Sequence, residues 1–319
     1  MINQIKKTKD KNMFRLGLAF FLLFVVDYAL QYGVQFLLEK LNPELLFHPL
    51  YVWVMSTVPL YLAALPVCLA VLGKSTGEEQ KKRNLGFKNF IFAIIALFGV
   101  TSVGNFIGNI LISAVSFISK REIADPLAEI VTDSNPFMYF LVVVIIAPIG
   151  EEFLFRRLVI DRTRKYGELF AVMLSAFMFS AFHTNVYQLL YAFLAGALFG
   201  YIYVKTSRLR YTIILHSALN LCSGFLPSLI LRGLLSMPSE FSMLTETQMI
   251  LYALLALIEL LYLAFLIVCT VTTVVLAIVY FRKIKFEKGE STGNLLSSPF
   301  LIVFFALCLI FTVVRIIIG

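Results

Sequence analysis

The chain has 319 residues, of which 60% are hydrophobic and only 14% charged, with a formal net charge of +8. So much apolar matter excludes a water-soluble domain and implies an all-α, polytopic transmembrane helical bundle, in which each backbone hydrogen bond closes within its own helix. The basic excess falls in short clusters between apolar segments, the pattern of cytosolic loops, and so excludes a nucleic-acid footprint.

In chain order, residues 1–12 form a basic tail ahead of a retained anchor, because the following apolar run is too long for a signal peptide and lacks a small-residue cleavage site. An N-terminal membrane unit covers 13–136. Its first span, 13–38, carries Asp27, and its second, 50–73, carries Pro59 and Pro66, which can kink a membrane helix. Its third, 89–118, offers Gly104 and Gly108 as a small-xxx-small packing face. The polar connection 120–135 is expected to hold a short helix in the interface. A core unit, 137–232, follows with spans at 137–164, 168–183, 186–204 and 211–231, and Gly196 and Gly200 give it a second close-packing face. The last unit, 233–319, holds an over-long span at 247–281 with Glu259 inside it and a further span at 295–318, for about 8–9 spans in all. Cys68, Cys222, Cys269 and Cys308 all lie in apolar segments without a CxxC, and so read as small hydrophobes.

The loop charges alternate. Basic clusters occur at the N-terminus and after the second, fourth, sixth and eighth spans, whereas the other connections are short, neutral or acidic. The positive-inside rule then places the N-terminus in the cytosol and, with nine spans, the C-terminus outside.

The stretch that stands out runs from Gly150 to Arg157, Gly-Glu-Glu-Phe-Leu-Phe-Arg-Arg, directly after an apolar run at 140–149. Ionisable groups at such depth are expensive and mark a functional site, although a helix end snorkelling to the headgroups would show similar charges. On a helix Glu152 and Arg156 share a face and can pair, while Glu151 points about 100° away and is left for chemistry. Pro148 removes a backbone hydrogen bond just upstream, and Gly150 adds backbone freedom.

Of the three histidines, His48 sits in an external connection beside Pro49 and reads as structural. His183 shares a helix face with Phe179, and His216 with Asn220. Counted back from the turn at Tyr166 and Gly167, Glu151 and His183 lie at similar heights, roughly 22 and 25 Å, with His216 shallower. A carboxylate, two imidazoles and a carboxamide can therefore converge inside the membrane. Such a set can deprotonate a water, polarise a carbonyl and steady an oxyanion, or hold zinc through Glu151, His183 and His216. An enzyme and a transporter with a polar midplane site both remain open at this point. The absence of HExxH, of GxSxG and, apart from Asp161 in the extension beyond the acidic pair, of a second aspartate within a span excludes zincin-like, serine and aspartyl-dyad membrane proteases.

Glu151-Glu152-x-x-x-Arg156, Phe179-x-x-x-His183 and His216-x-x-x-Asn220, in this order on three helices, resemble the CPBP family, the group of CAAX prenyl proteases and bacteriocin-processing proteases also called Abi proteins. The similarity covers about residues 137–226. It implies that Glu151 is the general base for the attacking water, that His183 assists in activating it, and that His216 and Asn220 steady the oxyanion. Glu152 and Arg156 are implied as a required supporting pair. The flanks before 137 and after 232 carry no such resemblance.

These features together point to an intramembrane endopeptidase in a plasma membrane of bacterial type. Its substrate would be a hydrophobic or lipid-modified peptide, such as a prenylated C-terminus or a bacteriocin precursor. The rival is a non-proteolytic self-immunity or scaffold role in the same family. Members of the family are often termed metalloproteases, yet the amide of Asn220 suits an oxyanion better than a metal, so glutamate–histidine catalysis without a cofactor is preferred, with zinc the alternative.

Overall fold

In the computed structural model, residues 10–73, 81–121, 123, 135–289 and 298–318 are described. Nine helices organise them: α1 Lys11–Leu41, α2 Tyr51–Leu72, α3 Phe87–Ser119, α4 Pro136–Tyr166, α5 Glu168–Phe182, α6 Val186–Thr206, α7 Leu209–Leu235, α8 Glu246–Tyr280 and α9 Pro299–Ile318. All but α5 are long and apolar enough to cross a membrane, so the protein is an integral membrane protein. The helical periodicity of the sequence thus yields the expected bundle. The expected interfacial helix within 120–135 lies almost wholly outside the described residues.

The fifth expected span is shorter than a crossing requires. With 15 residues, α5 rises about 22 Å against a hydrocarbon core of about 30 Å, so its turn into α6 falls within the bundle. Backbone outside a helix is tolerated at such depth only when it is covered by protein. Here Thr184 and Asn185 are buried, the Thr184 hydroxyl bonds to Tyr28 of α1 at 2.8 Å, and Asn185 caps the start of α6.

Three prolines re-wind their helices in the same way. Wide i→i+5 turns occupy Pro59–Ala64, Phe140–Ile146 and Leu221–Phe225, each ending two residues before Pro66, Pro148 or Pro227. The proline ring would clash with the carbonyl four residues back, and the wider turn relieves that contact. In each case the residue before the proline still donates five residues back, and the proline, lacking N–H, leaves the next carbonyl free. A fourth wide run, Phe153–Ile160, has no proline and follows the acidic pair directly.

Among the described residues two of the apolar cores are the largest. One joins α1, α2, α4, α5 and α9 around Phe20, Phe24, Phe155 and Phe304, and the other joins α3, α6, α7 and α8 around Leu97, Phe199 and Leu215. The small-residue faces are used unequally. Gly196 and Gly200 seat α6 against Ala176 and Val172 of α5, and Gly104 lets α3 approach the backbone of Tyr191, but Gly108 meets nothing within 4 Å. The expected packing face on α3 is therefore only half used.

At the α4–α5 turn, the buried Glu168 binds Arg164 at 2.5 Å, Lys205 of α6, and the backbone N–H of Glu287 at 3.1 Å. The Tyr166 hydroxyl donates to Asp10, so this knot ties the start of α1, the α4–α5 turn and the chain after α8 together.

Candidate active site

Glu152 and Arg156 lie on α4 one turn apart, and both are 0% exposed. Arg156 Nε sits 3.0 Å from Glu152 Oε2, and Nη2 donates to Oε1 at 3.4 Å. The third guanidinium nitrogen, Nη1, donates to Ser175 Oγ of α5 at 2.7 Å, and Ser175 passes its own proton to the Phe155 carbonyl at 2.7 Å. The guanidinium carbon lies 4.9 Å from the Phe179 ring centre and 5.6 Å from that of Phe199, a cation held between aromatic rings. Burial without such partners would be prohibitive, so every part of this charge is matched. The i, i+4 spacing thus brings Glu152 and Arg156 into direct contact in the protein interior.

His216 on α7 hangs from the same carboxylate. Its Nδ1 is 3.0 Å from Glu152 Oε1, and its ring stacks on Phe199 at 5.3 Å and meets Phe179 edge-on at 5.7 Å. Because the Arg156-paired carboxylate is an acceptor, Nδ1 carries the proton and donates. The other nitrogen, Nε2, then faces Glu151 Oε2 at 3.7 Å. That distance is too long for a direct hydrogen bond and suits one water donating to both acceptors. Unlike Glu152, Glu151 keeps 21% of its side-chain surface accessible.

His216, which the height count makes shallower, reaches the acids, and His183 lies on the other side of the Phe179 ring contacts. His183 closes α5, where its Nδ1 donates to the Phe179 carbonyl at 2.7 Å and its ring meets Phe179 edge-on at 4.8 Å. Neither a hydrogen bond nor an ion pair joins it to Glu151 among the described residues, whereas the supposedly shallow His216 touches both acids. The count assumed straight α-rods. The wide run Phe153–Ile160 advances less per residue and brings Glu151 closer to the turn. Among the described residues His183 Nε2 has no bonding partner, so it presents a lone pair from a fixed tautomer.

Asn220 is held by the proline. Its Nδ2 donates at 2.8 Å to the Val143 carbonyl, the group that Pro148 leaves free in the wide-turn register. One N–H of the amide is therefore structural, and the second remains for another acceptor. Replacing Asn220 with Ala should orphan that carbonyl and cost about 1 kcal/mol, read as a lowered unfolding temperature in addition to any loss of turnover.

Among the described residues no group of three or more His, Cys, Asp or Glu is arranged to hold a metal ion. His48 makes a local contact, its ring Nδ1 accepting from the Leu50 N–H at 3.2 Å.

Sequence reasoning missed Ser175, Phe199 and the Val143 carbonyl. Each reaches the site from a distant position with no motif of its own, and only Pro148, which removes one backbone hydrogen bond upstream, offered a hint.

Residues 133–222 match the family model of type II CAAX prenyl endopeptidase Rce1-like proteins. The match spans just over a quarter of the chain and contains Glu151, Glu152, Arg156, His183, His216 and Asn220. No curated protein and no solved structure shows a match. With the same three motifs on α4, α5 and α7, and with the acidic pair, Arg156 and His216 joined within the bundle, residues 133–222 are similar to the type II CAAX prenyl endopeptidase Rce1-like family, which supports the CPBP resemblance of this segment.

Proposed function

We propose that the protein is an intramembrane endopeptidase that hydrolyses a peptide bond in a prenylated, CAAX-like or otherwise hydrophobic peptide, without a metal. One observation carries this reading. Glu151 is an accessible carboxylate whose neighbour His216 is locked by a fully buried Glu152–Arg156 pair. A water between Glu151 and His216 gives its proton to Glu151, and its oxygen bonds to the scissile carbonyl carbon. When the tetrahedral intermediate collapses, the C–N bond breaks and Glu151 returns the proton to the leaving nitrogen. His216, more than His183, is the imidazole that shares this water, while His183 and the second N–H of Asn220 face the substrate. The lipid-modified substrate class rests on the matched family description.

A panel of quenched peptides, with and without an isoprenyl-cysteine, tests the reading when offered to purified protein and the products are mapped by mass spectrometry. Cleavage of the lipidated or strongly apolar members is expected, and a panel left intact would sink the proposal. The proposed orientation has the N-terminus in the cytosol. Cysteines introduced at Lys82 and Lys285 should then react with an impermeant thiol reagent only from the cytosolic side, and one at Glu240 only from outside. Labelling of residues 82 and 240 from one side would refute it.

A further inference from the structure

The family-matched segment begins just before α4, but the wall facing Gly150 comes from α2. A Cβ built on Gly150 would lie 2.2 Å from Tyr61 Cε1, 2.5 Å from Cζ and 2.6 Å from the hydroxyl oxygen. Only glycine at 150 permits this contact, so the phenol end of Tyr61 rests directly on the backbone preceding Glu151. Tyr61 sits inside the wide turn Pro59–Ala64, which re-aims the side chain, and such turns recur at functional positions. Its hydroxyl makes no hydrogen bond to any described residue, and it lies within electrostatic reach of Glu151 and of the buried Asp27. The first span closes the same side, since Tyr28 bonds Thr184, the neighbour of His183, at 2.8 Å.

We propose that Tyr61 is a catalytic residue of this site, whose hydroxyl donates a hydrogen bond to the scissile carbonyl oxygen as it becomes an oxyanion. This rests on the endopeptidase reading above. As Glu151 takes the proton of the water and the new C–O bond forms, the carbonyl π electrons move onto oxygen, and the Tyr61 O–H meets that charge. When the C–N bond breaks, the electrons return and Tyr61 keeps its proton throughout. A preformed donor that is unpaired in the resting site suits this role, because it binds the transition state more strongly than the ground state.

The test compares wild type, Tyr61→Phe, Gly150→Ala and Glu151→Gln on one cleaved peptide. It also measures binding of a phosphonamidate analogue of that peptide, which mimics the charged tetrahedral state, and of a non-cleavable ground-state isostere. Tyr61→Phe keeps the ring on Gly150, so it should unfold at the wild-type temperature with an unchanged KM, while kcat and phosphonamidate affinity both fall about 100-fold. Gly150→Ala displaces the same phenol and should reproduce the loss with Tyr61 intact. A purely structural tyrosine would instead lower the unfolding temperature and weaken both analogues alike. Activity of Tyr61→Phe within about threefold of wild type, with Glu151→Gln inactive, overturns the Tyr61 assignment alone. A wild type that neither cleaves the peptide nor binds the phosphonamidate overturns the endopeptidase reading and this assignment with it.

Discussion

Glu151→Gln is expected to reduce turnover by about 10³-fold or more while leaving the unfolding temperature near that of wild type, since a positioned base contributes roughly 10²–10⁴ in rate. The two halves of this expectation come from different features of the site. Glutamine preserves size and can still hydrogen-bond a water, but it cannot accept the proton. Stability should survive because Glu151 is partly exposed, and its nearest charged partner is His216 at 3.7 Å, beyond hydrogen-bonding range. The experiment pairs initial rates on a cleaved peptide with thermal unfolding followed by a thiol-reactive fluorophore. That probe suits this chain because Cys68, Cys269 and Cys308 are buried and become reactive only on unfolding. Wild-type rates in Glu151→Gln would remove Glu151 from the chemistry. A large fall in unfolding temperature would mean that the carboxylate is structural after all.

The bundle was legible in the sequence because membrane helices are specified by composition and length, and these survive any detail of packing. The Glu152–Arg156 pair was legible for a similar reason, since i and i+4 on one helix fix a neighbour without tertiary information. What the sequence could not supply was the set of contacts between helices. Ser175 and Phe199 complete the surroundings of Arg156 from α5 and α6, yet a serine and a phenylalanine in apolar helices look like any others. Tyr61 lies 89 residues before Gly150 and outside the stretch that carries the motifs.

The contact of His216 with both acids, which the height count did not anticipate, has a more specific cause. Height reckoning depends on a constant rise, and the wide turns on α4 break that constancy on either side of the acids. Pro148 announced one such turn, but the run Phe153–Ile160 contains no proline and gave no warning. The same proline supplied a structural use for Asn220 that the resemblance alone, with its oxyanion role, did not suggest.

The supporting pair makes the other large prediction. Arg156→Ala should destabilise the protein by about 3–5 kcal/mol, because it leaves the Glu152 carboxylate buried without its counter-charge. For a protein of this size that corresponds to a fall in unfolding temperature on the order of 10 °C. Ser175 would lose its donor partner and the Phe179–Phe199 slot its cation, so little in the surroundings can compensate. Arg156→Lys should fall between, since an ammonium keeps the charge but cannot reach both carboxylate oxygens and Ser175 at once. The informative variant is the double change Arg156→Met with Glu152→Gln. Removing both charges should recover much of the lost stability, since a buried pair replaced by neutral groups of similar volume is often tolerated. Activity should not recover with it, because His216 Nδ1 would lose the ionised acceptor that fixes its tautomer opposite Glu151. Stability and turnover measured on all three variants separate the two roles. An Arg156→Ala protein that unfolds at the wild-type temperature would show that Glu152 is not held by this pair, and the anchoring of His216 would need another source.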